Sequence, residues 1–104
     1  MQSKVIVTPW ESDKQPGEKQ LRQMLAEEGL RPYRWSNGPY DVYSAHTHPF
    51  NKVIYVVQGS ITFGLPEQGK EVELVAGDRL DLSQGVLHNA VVGPQGVVCL
   101  EAHL

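Results

Sequence analysis

The sequence has only one cysteine, no long apolar run and no excess of positive charge. A lone Cys99 cannot form an internal disulfide, which predicts a reducing, cytoplasmic location. No apolar run approaches the ~20 residues of a membrane span, and the apolar run near the N-terminus is too short for a signal-peptide core, so we expect no membrane partner. The formal net charge of −3 offers no basic surface for nucleic acid.

What is present is typical of one small domain rich in β-structure. A chain of 104 residues can bury a hydrophobic core large enough to fold without disulfides or structural metals. Its ten glycines and seven prolines favour many short strands joined by tight turns. No linker or repeat divides the sequence. We therefore predict a single domain over 1–104, with an N-terminal strand and helix in 1–30 and a barrel in 31–104.

One helix is predicted, over 18–28. Leu21, Met24 and Leu25 have helical i, i+3, i+4 spacing, and Gly29 suits the residue after a helix end. The apolar stripe is narrow, which is typical of an amphipathic helix that covers one side of a sheet.

The remaining chain predicts at least seven short strands. Segments rich in β-branched or alternating apolar residues are separated by turn residues, which is typical of a β-sandwich or small barrel. The predicted strands are 4–8, 31–35, 40–48, 53–57, 61–64, 71–75, 79–82, 86–92 and 97–104, with turns or loops at 58–60, 66–70 and 93–96 among the intervening segments.

His46 and His48 are the first candidate metal ligands. Residues i and i+2 of a strand lie on the same face, roughly 7 Å apart along the chain. Their imidazoles could therefore lean toward one cation, whereas on a helix they would point about 200° apart. The β-branched and aromatic segment 53–57 that follows favours strand structure here.

Two segments resemble the motifs of the cupin family. His46-Thr47-His48, three residues, Lys52, six residues and Gly59 resemble the first cupin motif. The segment 77–88, with Gly77, Gly85 and His88, resembles the second motif. The resemblance extends over 40–92, about half of the chain.

The resemblance implies a double-stranded β-helix, the jelly-roll barrel of cupins. It also implies that His46, His48 and His88 bind a divalent transition metal such as Fe, Mn, Ni, Zn or Cu. Three neutral imidazoles suit such ions and leave coordination positions open. A small-molecule ligand and a homodimer are implied as well.

Lys52 departs from the motif, which has a glutamate at this position. An ammonium close to a divalent cation repels it. Three alternatives follow: the Lys52 head turns outward, an anion bridges Lys52 and the metal, or no metal binds and Lys52 binds an anion alone. We take Lys52 as the candidate substrate-binding residue.

Strand alternation predicts which side chains face the barrel interior. An apolar series on the last strand (Val98, Leu100, Ala102 and Leu104) is expected to face inward, which would direct Cys99, Glu101 and His103 outward. Val42 and Ser44 are expected to share the inward face of the histidines. The large aromatics Trp10, Tyr33, Trp35 and Tyr43 are expected outside the barrel. Asp78 and Asp81 are expected to be solvated, and Asn51 to serve a turn.

Three functions are compatible with these features. The first is a metal-dependent enzyme acting on a small, possibly anionic molecule. The second is a non-catalytic cupin that binds a small molecule, and the third is a metal-free scaffold or dimerisation module. They differ in whether a metal binds and in whether its open positions are used.

Overall fold

A computed structural model describes residues 4–104. The elements in chain order are β1 (Val5–Thr8), α1 (Glu18–Glu27), β2 (Tyr33–Asn37), β3 (Val42–His46), β4 (Lys52–Leu65), a short 3-10 helix (Pro66–Gln68), β5 (Lys70–Val75), β6 (Arg79–Leu82) and β7 (His88–His103). The predicted helix and the strands at β1, β5 and β6 are confirmed within one residue at each end. No helix in the described residues is long and apolar enough to cross a membrane.

The two longest strands, β4 and β7, form the spine of the fold. They pair antiparallel along almost their whole lengths. The first part of β4 also pairs with β6, which in turn pairs with β1, and the second part of β4 pairs with β5. The end of β7 pairs with β2 and its beginning with β3. This arrangement of seven antiparallel strands confirms the predicted jelly-roll barrel.

Both spine strands are continuous, whereas the sequence predicted two shorter strands for each. The predicted turn 58–60 is an irregularity inside β4, with register shifts between Val56 and Gln58 and between Gly59 and Ile61. The predicted loop 93–96 bulges from β7 opposite this point. Gly59 has φ +82°, and a Cβ there would lie 2.0 Å from the carbonyl oxygen of Gly96. The glycines thus bend a continuous strand pair instead of ending it.

The main core lies inside the barrel. Apolar side chains from β4, β5, β6 and β7 are almost completely buried there, among them Ile54, Ile61, Leu74, Leu80 and Val92. Leu82 of β6 also belongs to this core, and Val72 of β5 packs against it while only partly buried.

Helix α1 covers the outside of the barrel. Leu21 and Leu25 are fully buried against Val53, Tyr55 and Leu100, as a second core. Gly29 has φ +77° and follows Glu28, the C-cap residue of the helix, as expected for a residue that ends a helix. The Arg79 guanidinium from β6 contacts the Glu28 carboxylate at 2.5 and 3.0 Å. The predicted side cover is therefore confirmed, with an ion pair added to its apolar contact.

This covering helix explains why the alternation on β7 was read wrongly. Leu100 faces the helix, whereas Cys99 packs in the barrel core, and Glu101 lines the cavity inside the barrel. Both faces of the strand are covered at this point, so apolar alternation does not identify the interior. The prediction that Cys99 and Glu101 point outward is wrong.

Other predictions from alternation also fail near irregular backbone. Val42 is 70% exposed, while Tyr43 lines the cavity, because a register shift between Tyr43 and His46 breaks the alternation along β3. Asp78 is buried, not solvated: it accepts hydrogen bonds from the backbone N–H groups of Trp10 and Val75, both at 2.9 Å. It fixes the turn between β5 and β6.

Candidate metal centre

The three predicted histidines come from two adjoining strand ends and the loop after one of them. His46 is the last residue of β3 and pairs with His88, the first residue of β7. His48 lies beyond β3, so the prediction that one strand holds both His46 and His48 is wrong. The loop is tied down instead: the Gly85 N–H donates to the His48 carbonyl at 2.8 Å. Asn51 has the predicted turn role, because its Oδ1 accepts from the Gln84 N–H at 2.7 Å.

The three imidazoles converge nonetheless. One nitrogen from each of His46, His48 and His88 can be chosen such that all three lie within 4.8 Å of one another. The ring centroids are 4.4 Å apart for His46 and His88, 4.7 Å for His46 and His48, and 5.3 Å for His48 and His88. The three nitrogens are therefore close enough to share one ion.

Hydrogen bonds to the backbone orient two of these rings. Nδ1 of His46 lies 2.6 Å from the Ser44 carbonyl oxygen, and Nδ1 of His88 lies 2.9 Å from that of Val86. A carbonyl only accepts, so each Nδ1 carries the proton, and each Nε2 has a free lone pair. Metal-binding histidines usually donate their other N–H in this way.

His88 Nε2 is the one buried side-chain polar atom in residues 4–104 without a hydrogen-bond partner. The whole side chain is buried, with His88 only 2% exposed. Burying an acceptor without a partner costs about 1–3 kcal/mol. An orphaned lone pair beside two further imidazoles is what a metal ion would satisfy, so the residues present fit such a group.

The electrostatics keep the buried imidazoles uncharged. Burial, aided by the nearby positive charge of Lys52, lowers the pKa of His88 to about 4. The pKa of His48 is also lowered, first by burial and then by Lys52. Neutral imidazole is the form that binds metals.

A cavity of about 230 Å³ adjoins the histidines. Its wall is mostly aromatic and aliphatic, formed by Tyr33, Trp35, Tyr43, His46, His48, Lys52, Ile54, Ile61, Phe63, His88, Ala90 and Glu101. The prediction that Tyr33, Trp35 and Tyr43 lie outside the barrel is therefore wrong. An apolar cavity with a few converging polar groups is the usual form of a small-molecule site.

Two charged side chains face each other in this cavity. Lys52 Nζ lies 3.7 Å from Glu101 Oε2, and both side chains are 8% exposed. His103 is exposed, as expected, and its Nε2 lies 2.8 Å from the same Glu101 oxygen. Of the alternatives for Lys52, the outward-turned head does not occur.

The pKa values of Lys52 and Glu101 are both lowered, for different reasons. Burial lowers the pKa of Lys52, although Glu101 opposes the shift. Burial alone would raise the pKa of Glu101, but the hydrogen bond from Tyr33, the charge of Lys52 and the hydrogen bond from His103 outweigh it and lower the pKa. Glu101 is therefore ionised at neutral pH.

Glu101 was missed as a cavity residue because it was assigned to the wrong face of its strand. One signal was available in the sequence. A lone carboxylate between Leu100 and Ala102, inside an otherwise apolar strand, is rarely buried unless it is paired. Lys52, on the pairing strand β4, carries the opposite charge.

Comparison with known proteins supports the fold. No protein-family model matches the chain, and no curated protein sequence does. Solved structures do match. An RmlC-like cupin from Shewanella frigidimarina is 26% identical, with a TM-score of 0.61, over 71% of this chain and 64% of its own. The polyketide cyclase RemF from Streptomyces resistomycificus is 28% identical, with a TM-score of 0.62, over 71% of this chain and 54% of its own.

A third structure matches over the full length. A DUF861 family protein from Thermotoga maritima is 16% identical, with a TM-score of 0.65, over 99% of this chain and 100% of its own. At this identity the likeness is one of fold. The match spans about two thirds of the length of the Shewanella cupin and about half of that of the cyclase.

Fold and site together define the class: a double-stranded β-helix with a cluster of three histidines at an internal cavity. The chain is a small cupin.

Proposed function

We propose that this cupin binds a divalent transition metal through Nε2 of His46, His48 and His88. Iron, manganese, nickel, zinc and copper are the candidates. The unsatisfied Nε2 of buried His88 carries the proposal, because a histidine with only a packing role would not leave a buried acceptor without a partner. When bound, the metal would supply a Lewis acid with open positions.

The adjoining cavity would hold a small molecule. Its aromatic wall excludes water from the ligand, and Lys52 offers N–H donors to an oxygen of the ligand, including a carboxylate. That a similar structure is a polyketide cyclase supports a small-molecule role for this kind of cavity. The alternative is a cupin that binds its ligand without turnover, and it uses the same cavity.

A cytoplasmic homodimer and a single domain over 1–104 stay predictions. The paired residues Val42 and Val91 are 70% and 47% exposed, which is compatible with an apolar contact surface. Light scattering of the purified protein measures the oligomeric state, and a monomer at all concentrations would contradict the dimer.

Metal content of matched variants tests the main proposal. After equilibrium dialysis against Zn²⁺, elemental analysis should find one ion per natural chain. His48→Ala should lose it, with little change in stability because His48 is only partly buried. Glu71→Gln is the control, since it removes an exposed carboxylate on β5 that lies outside the histidine cluster and its cavity. Equal metal content in His48→Ala and the natural chain would overturn the proposal.

A further inference from the structure

The Lys52–Glu101 pair arises from strand register. On the β4–β7 ladder Lys52 pairs with His103 and Ile54 with Glu101. Lys52 and Glu101 are thus diagonal neighbours, close enough for long side chains to meet. The pair lines the same cavity as the three histidines.

Glu101 is fixed from several directions. Its Oε2 accepts from the Tyr33 hydroxyl at 2.6 Å and contacts His103 Nε2 at 2.8 Å, and its Oε1 accepts from the Trp35 indole N–H at 3.2 Å. Tyr33 and Trp35 come from β2, which flanks β7 on the side away from the β4 strand that carries Lys52, and His103 lies on β7 itself, paired with Lys52. Such a network holds the carboxylate in one orientation.

Lys52 depends on this carboxylate. Within the described chain, Glu101 is the one carboxylate that forms an ion pair with Lys52, and at 3.7 Å the contact exceeds hydrogen-bond length. A lysine that is 92% buried without a counter-charge is strongly unfavourable. A divalent ion bound in the same cavity would add repulsion to that cost.

We propose that Glu101 is a positioning residue of the metal site: it holds the Lys52 ammonium in place and cancels its charge next to the three histidines. The inference rests on the proposed metal binding. It explains how a lysine can occupy the position where the cupin motif has a glutamate: the negative charge lies on the neighbouring strand instead. The lysine N–H groups not directed at Glu101 are left for a ligand.

Changes in charge at the two positions should have opposite effects. Glu101→Gln leaves an uncompensated cation, so the Kd for Zn²⁺ should rise about tenfold. Lys52→Met leaves an uncompensated anion, so the Kd should fall. The double variant restores neutrality and should bind Zn²⁺ nearly as the natural chain does. Glu73→Gln, on the exposed side of β5, removes the same charge elsewhere and should have no effect.

The Kd for Zn²⁺ is measured by competition with a chelator, and melting in EDTA shows that each variant is folded. Opposite shifts that cancel in the double variant support the inference. Weaker binding in both single variants would indicate a merely structural role and overturn it, as would unchanged binding in both. If Glu101→Gln does not fold, the sign of the Lys52→Met effect decides alone. Absence of Zn²⁺ binding by the natural chain would instead refute the proposed function.

Discussion

Replacing His88 by leucine tests whether the His88 imidazole serves a ligand or stabilises the folded protein by packing. In the metal-free protein the change removes Nε2, a buried acceptor without a partner. Its removal should raise the free energy of unfolding by about 1–3 kcal/mol. The change also breaks the hydrogen bond from Nδ1 to Val86 and leaves that buried carbonyl without this partner, a loss of about 1–3 kcal/mol that offsets the gain. At pH 7 the free energy of unfolding should therefore stay within about 1 kcal/mol of that of the natural chain.

At acidic pH the His88→Leu variant should be more stable than the natural chain. In the folded protein the pKa of His88 is lowered from 6.5 to about 4 by burial. Below pH 6.5 the unfolded chain binds a proton at His88, whereas the folded protein binds it only near pH 4. The stability present above pH 6.5 is therefore lost as the pH falls from 6.5 toward 4. At pH 5 this loss is about 2 kcal/mol. His88→Leu has no such loss, and should be more stable than the natural chain by about that amount.

Urea denaturation in EDTA at pH 7 and pH 5 measures both differences, and His48 and His46 are common to both proteins. A loss of more than about 2 kcal/mol at pH 7 would show that the imidazole makes stabilising contacts beyond Val86. Equal acid sensitivity of the two proteins would show that His88 does not titrate as described. Either result would refute the reasoning.

Two further predictions concern Lys52 and the turn before β6. Lys52→Glu places a second carboxylate beside Glu101, so the metal-free protein should lose about 3 kcal/mol of stability, while Zn²⁺ should bind more tightly. Thermal melts with and without Zn²⁺ measure both effects. Weaker Zn²⁺ binding by the variant would contradict the prediction. Gly77→Ala should destabilise by more than about 1 kcal/mol, because φ is +94° and the new Cβ would lie 2.6 Å from Trp10. Gly85→Ala, at φ +78° with no atom within 4 Å, should cost less in the same denaturation assay, and an equal cost would show that contact with Trp10 is unimportant.

The three converging histidines could be predicted from the sequence because the spacing within two short segments resembles that of the cupin motifs. His46 and His48 are two residues apart, and His88 lies at a fixed distance from Gly77 and Gly85. The three imidazoles therefore converge even though His48 lies outside β3. The hydrogen bond from the Gly85 N–H to the His48 carbonyl supplies the constraint on His48 that strand geometry was expected to supply.

The rest of the cavity could not be predicted because it depends on which face of a strand is inward. Helix α1 gives β7 a second buried face, so Leu100 appeared to be an interior residue and Glu101 an exterior one. On β3 a register shift before His46 brings Tyr43 into the cavity. Alternation is informative only where one face meets solvent and the backbone is regular.

The proposed function requires that the three histidine rings share one ion, and the position of that ion can be measured. In crystals grown with Zn²⁺, anomalous diffraction at the zinc edge should show one peak per chain, about 2.0–2.1 Å from Nε2 of His46, His48 and His88. A peak bound by other side chains, or no peak in crystals of the folded protein, would contradict the account.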